Sequence, residues 1–237
     1  MLPLLIRVLR RLEPREGWVP FILTLLAALC LPLALLESPS GASGAWLVGM
    51  AALGVVAGLW LARTRLGAVA AAAAAALLGG AVTLVAVARL VPPLAAMWRG
   101  PHAALAYTWQ QLELFGIRLW AWAQHATSGT GAARDTIALE LALAVLVWTV
   151  SLLTAWHIYR RQSGWPAIVP GAVAVSLAAF FLGGLARFYF YIYLAAALSL
   201  VAACRLWRHR ARWEASDTDY PDSLGADAAT VLAPVSY

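Results

Sequence analysis

Lysine is missing from all 237 residues, and each of the seventeen basic side chains is arginine. Charge of either sign is scarce. Charged residues make up 12% of the chain and hydrophobic residues 63%, against about 25% and about 45–50% in a typical soluble domain. That balance excludes a water-solvated globule, because so little charge cannot cover so much apolar surface. Only two cysteines are present, Cys30 and Cys204. Both fall inside apolar runs at different depths, so no disulfide is expected and the thiols read as small packing groups. The four histidines, His102, His125, His157 and His209, share no metal-ligand spacing with each other or with cysteine. No phosphate-loop or dinucleotide fingerprint occurs. Neither a metal nor another cofactor is therefore expected. The net charge of +6 does not imply nucleic-acid binding, since no basic stretch carries a groove-reading pattern.

What the chain does have is long apolar runs. Six stand out, at 18–36, 45–62, 66–90, 136–159, 165–183 and 188–206. Each is long enough, at 1.5 Å per residue, to cross about 30 Å of hydrocarbon. Lipid cannot satisfy backbone polar groups, so these runs must be helices. The expected fold is an all-α, polytopic membrane protein with six transmembrane helices. Residues 1–17 form a basic N-terminus, 91–134 an outer loop with its own helix, and 207–237 a tail or connector. The first run follows a long charged region and is followed at once by further spans. It therefore reads as a retained helix, not a cleaved leader.

Arginine placement orients the bundle. With the N-terminus in the cytoplasm, twelve arginines fall inside: the four at 7–15, Arg63 and Arg65, Arg160 and Arg161, and the four at 205–212. Five fall outside, at 89, 99, 118, 134 and 187. Six spans with both termini cytoplasmic satisfy the positive-inside rule, in an inner or plasma membrane. The all-arginine base set and the abundance of Ala, Leu and Gly suggest a GC-rich bacterial genome.

The outer segment, HAALAYTWQQLELFGIRLWAWAQ and the following His125, repeats at helical spacing. Leu105, Trp109, Leu112, Leu119 and Trp120 form an apolar arc; Gln110, Gln111, Arg118 and His125 cluster elsewhere. This is the pattern of an amphipathic helix lying at the membrane surface. Trp109 and Trp120 serve there either as aromatic belt and packing groups or as a surface that docks a partner or guides a substrate.

Few residues offer chemistry. Glu140 is the one acid well inside a span, near its outer end, about one turn past Asp135. Ionisable groups at membrane depth are functional candidates. Arg89, at the outer end of the third run, is a possible ion-pair partner, and the alternatives are a structural pair or a role in transport or catalysis. Gly54 and Gly58 form a GxxxG pair that allows close helix approach, within the chain or between chains. The alanine run 70–76 offers a similarly thin face. Ser151 and Ser176 have no histidine at matching depth, so no intramembrane protease set is assembled.

The order of the last elements carries a family resemblance. RRQSGWPAIVPG, residues 160–171, leads into a Pro- and Gly-punctuated helix, and RLWRHRARWEASDTDYPDSLGAD follows the sixth run. This resembles the N-terminal membrane region of bacterial transglutaminase-like membrane proteins, in which a basic RRxRWE segment precedes a DY-[PS]-[ED]-x-L run. Arg210, Arg212, Trp213, Glu214, Asp219, Tyr220, Pro221, Asp222 and Leu224 fit that pattern. It extends over most of the chain as a hydropathy profile and is residue-specific over about 160–228. The resemblance implies an anchor for a papain-like domain outside the membrane, whose catalytic Cys, His and Asp lie beyond residue 237. Cys30 and Cys204 match no such motif. The family's further span after DYPxxL is replaced by VLAPVSY, too short to cross, so a fragment, a split gene or a stand-alone module is expected. The partners implied are the lipid bilayer and a fused or neighbouring protein domain. A membrane subunit of a transporter or export complex is the alternative reading.

Overall fold

The computed structural model describes residues 18–37, 45–93, 98, 100–128 and 137–215. Among them, seven α-helices are the regular elements. In chain order these are α1 (Trp18–Leu35), α2 (Ala45–Arg63), α3 (Ala68–Val87), α4 (Pro101–Ser128), α5 (Ile137–Arg161), α6 (Gly164–Leu182) and α7 (Gly184–Ala215). All but α4 are long and apolar enough to cross a bilayer. The protein is an all-α, polytopic membrane protein, with one further helix, α4, among the described residues.

Its surface is the inverse of a soluble bundle. Val69, Leu77 and Phe180 are 85%, 77% and 79% exposed, while the core is rich in small residues such as Ala34, Ala51, Ala144, Ala155 and Ala167. In water the exposed side chains would be an aggregation liability. In lipid they lose nothing, and small residues inside let helix backbones approach closely enough for dispersion and hydrogen bonds to hold them.

The packing shows this residue by residue. Gly54 and Gly58 both face α5. A Cβ on Gly58 would lie 2.7 Å from the Leu152 carbonyl oxygen and 2.8 Å from the Ala155 Cβ, so the backbones of α2 and α5 are in direct contact there. On α3 the buried positions are Ala71, Ala75, Gly79, Thr83 and Val87, one stripe at i+4 spacing. The alanine run therefore turns only Ala71 and Ala75 fully inward. Trp148 of α5 fills the space left at Gly79, and its indole N–H donates to the Ala75 carbonyl at 3.3 Å. Cys30 and Cys204 are buried free thiols.

Pro170 sits inside α6 and removes one helical donor. Neighbouring helices supply hydroxyls to carbonyls in the turn before it. Thr154 of α5 donates to the Ala167 carbonyl at 2.9 Å, and Tyr193 of α7 donates to that of Ile168. Gly171 makes room for the tyrosine ring. A single residue, Gly183, separates α6 from α7, with φ 67 and ψ −147. That region is essentially open only to glycine; α7 begins immediately after it, at Gly184, four residues before the apolar run expected from Phe188. α7 runs for 32 residues, about 48 Å, and carries Arg205, Arg208 and Trp213 on one continuous helix. The Asp219–Leu224 part of the family pattern and residues 1–17 lie outside the described residues.

The helix ends sort into two groups. Arg160, near the end of α5, donates to the Thr64 carbonyl at 3.2 Å and the Leu66 carbonyl at 2.7 Å, and stacks over Trp156 at 4.6 Å. The α2–α3 loop and the α5–α6 turn are thereby fastened together. A Cβ on Gly164 would lie 3.0 Å from the Val201 Cα, which brings the last turns of the α7 span to the same end. Arg63, Arg65, Arg160, Arg161, Arg205 and Arg208 thus belong to one arginine-rich end. The C-terminus of α3 and the N-terminus of α5 define the opposite end.

Candidate functional site

At the end opposite the arginine collar, α3, α4 and α5 enclose an open cavity of about 390 Å³. Its polar lining is Arg89, Gln111, Arg118 and Glu140, and Leu114 and Phe115 supply much of the apolar wall. Each group is placed by an identifiable local feature.

Arg89 ends α3. The Leu90 N–H bonds the Val85 carbonyl at 3.0 Å and the Arg89 N–H bonds that of Ala86 at 3.3 Å. These are the two hydrogen bonds of a Schellman cap, with Arg89 at the position usually held by glycine. Its φ is 51, in the left-handed region that costs a residue with a Cβ about 1–2 kcal/mol. An arginine held there lines the cavity at the cost of local strain, a combination that clusters at functional sites.

Glu140 lies in the first turn of α5, where the helix dipole favours a carboxylate. Its Oε2 is 3.9 Å from an Arg118 guanidinium nitrogen, with the side chains 17% and 43% exposed respectively. The pairing considered with Arg89 is thus made by Arg118, and Arg89 lines the same cavity. At 3.9 Å the contact is coulombic and too long for a hydrogen bond.

The course of α4 explains how Arg118 arrives there. α4 is 28 residues long, about 42 Å, and contacts the bundle through α5. Gln111, Phe115, Arg118 and Trp122 fall at i, i+4, i+7 and i+11, one face, and that face turns to the bundle. Leu105, Trp109 and Trp120 lie on the far side and are 66%, 72% and 68% exposed. A soluble amphipathic helix does the reverse. Here Gln111 and Arg118 of the polar arc line a cavity, and the apolar arc is exposed. Trp109 and Trp120 share one line about 16 Å apart along the helix. Gln110 and His125, grouped with that polar arc by sequence, are exposed; the His125 ring bonds the Ala121 carbonyl at 2.6 Å.

Of the candidate residues, the structure brings Arg89 and Glu140 together at this cavity. It places Trp109 and Trp120 on the outer arc of the adjacent helix, and sets Gly54 and Gly58 apart in the α2–α5 interface. Gln111, Leu114, Phe115 and Arg118 complete the site. Their signal in sequence was the seven-residue step from Gln111 to Arg118, which is two helical turns, but nothing local pairs that face with Glu140. Among the described residues no group of three His, Cys, Asp or Glu side chains could hold a metal. Chemically, the lining residues offer two arginines, an amide and one carboxylate around an open space. Comparison with family models, with curated proteins and with solved structures gave no match for this chain.

Proposed function

We infer that this chain is a non-catalytic integral membrane module of a bacterial cytoplasmic membrane, which holds a transglutaminase-like, papain-like domain or partner on the extracytoplasmic side. The observation that carries the reading is the asymmetry of the bundle. The core is apolar and small-residue packed, whereas polar groups and the exposed Trp109–Trp120 line gather at the end opposite the arginine collar. The positive-inside rule assigns the collar to the cytoplasm, so the α4 end faces outward, where such a domain would sit. The RHRARWE stretch on the extension of α7 supports the family resemblance on the inner side.

Two experiments test this. A reporter active only outside the cytoplasm, fused after residue 128, is expected to be active, and one fused at residue 64 silent. The opposite pattern overturns the orientation. Co-purification from native membranes should yield a protein with a papain-like Cys, His and Asp core, and substitution of both Trp109 and Trp120 by Ser should release it. Purified chain that cross-links or hydrolyses peptides unaided would overturn the non-catalytic reading. Glu140 beside Arg118 favours the second reading, a subunit of a transporter or export complex. That reading requires Glu140→Gln to abolish an uptake or efflux phenotype.

A further inference from the structure

We propose that the cavity between α3, α4 and α5 binds the phosphate of an anionic amphiphile, a phosphodiester headgroup carrying apolar chains. Arg89 and the Arg118–Glu140 pair line the same space. The lining therefore carries an excess positive charge when all three are ionised, which suits an anion. Guanidinium is the cation best matched to phosphate oxygens, because its planar fork donates two parallel hydrogen bonds. Gln111 adds an amide donor on the same wall.

Size and setting select an amphiphile over a bare anion. At about 390 Å³ the cavity is within the range of small-molecule sites, about 300–1,000 Å³, and larger than one phosphate requires. Leu114 and Phe115 form an apolar wall beside the charges. The site lies where the α3 span ends and the α5 span begins, at the boundary between hydrocarbon and water. A headgroup held there leaves its chains free to run down the lipid-exposed flank of α3, past Leu84 and Leu77. The backbone of Arg89 is a second, independent observation. A position that favours glycine carries instead an arginine that lines the cavity. The proposal does not rest on the anchoring role, and each can fail without the other.

The test uses the full chain in a maltoside detergent, titrated calorimetrically with dihexanoyl phosphatidylglycerol and, separately, with inorganic phosphate. Saturable binding of the lipid is expected, with inorganic phosphate much weaker. Arg89→Gly and Arg118→Gln should each weaken lipid binding by about tenfold or more, as loss of a charge-assisted contact does. Glu140→Gln should tighten it, since a competing carboxylate is removed. Arg89→Gly retains the backbone conformation of the cap, so its folding does not confound the result. Wild-type affinity in both arginine variants overturns the site. Inorganic phosphate binding as tightly as the lipid overturns the amphiphile assignment in favour of a free anion.

Discussion

Replacing Gly58 by Ala should be the most damaging single-methyl addition in the α2–α5 interface. The new Cβ would be 2.7 Å from the Leu152 carbonyl oxygen and 2.8 Å from the Ala155 Cβ. Ordinary contacts start near 3.4 Å, and the obstacle is backbone, which cannot rotate away. The helices must separate by several tenths of an ångström along a seam in which Gly54 and Gly58 meet Trp148, Ser151, Leu152 and Ala155. A gap of about 0.5–1 Å forfeits a quarter to a half of each dispersion contact it opens, and between helices in lipid such contacts are the main adhesive. Overpacking of this kind costs about 1–3 kcal/mol.

Two neighbours calibrate the effect. A Cβ on Gly54 meets the Ser151 Cβ at 3.0 Å and the Trp148 carbonyl oxygen at 3.2 Å, so Gly54→Ala should destabilise less. Gly49 has nothing within 4 Å of its added Cβ, and Gly49→Ala should be neutral or stabilising by up to about 1 kcal/mol through helix propensity. Thermal unfolding of the purified chain, followed by size-exclusion chromatography, should rank the melting temperatures Gly49→Ala, Gly54→Ala, Gly58→Ala from highest to lowest. Several degrees should separate the extremes. Equal melting temperatures for the Gly49 and Gly58 variants would refute the close α2–α5 approach. A change in oligomeric mass with unchanged melting temperature would move the GxxxG contact to an interface between chains.

Other substitutions read other parts of the fold. Arg89→Gly should raise stability by about 1 kcal/mol by relieving the left-handed cap, seen as a higher melting temperature in the absence of added lipid. Arg160→Gln should remove the hydrogen bonds to the Thr64 and Leu66 carbonyls and the stacking on Trp156. Because these groups are exposed the cost should be only about 1 kcal/mol, but amide exchange in residues 64–67 should accelerate markedly. Tyr193→Phe takes a buried donor from the Ile168 carbonyl and should cost about 1 kcal/mol. Thr154→Val should act similarly at Ala167, with both read from thermal unfolding.

The sequence alone determined the architecture, because lipid imposes so simple a rule. A run of about 20 apolar residues can only be a spanning helix, so the six spans and the separateness of α4 follow from hydropathy and spacing. The two apolar-to-polar arcs of α4 were legible for the same reason, since a 3.6-residue period is a property of the chain itself. The tertiary structure decided which way those arcs face, and it turned Gln111 and Arg118 toward the bundle. Only docking of α4 on α5 brings Arg118 within reach of Glu140, 22 residues away in the chain, and only the packing of α3 beside them puts Arg89 on the same cavity. Likewise the GxxxG spacing announced a close approach, but its partner, the Leu152–Ala155 turn of α5, depends on which helices become neighbours. Spans follow from the solvent each segment must satisfy by itself. Sites at their ends depend on contacts between segments that no local pattern encodes.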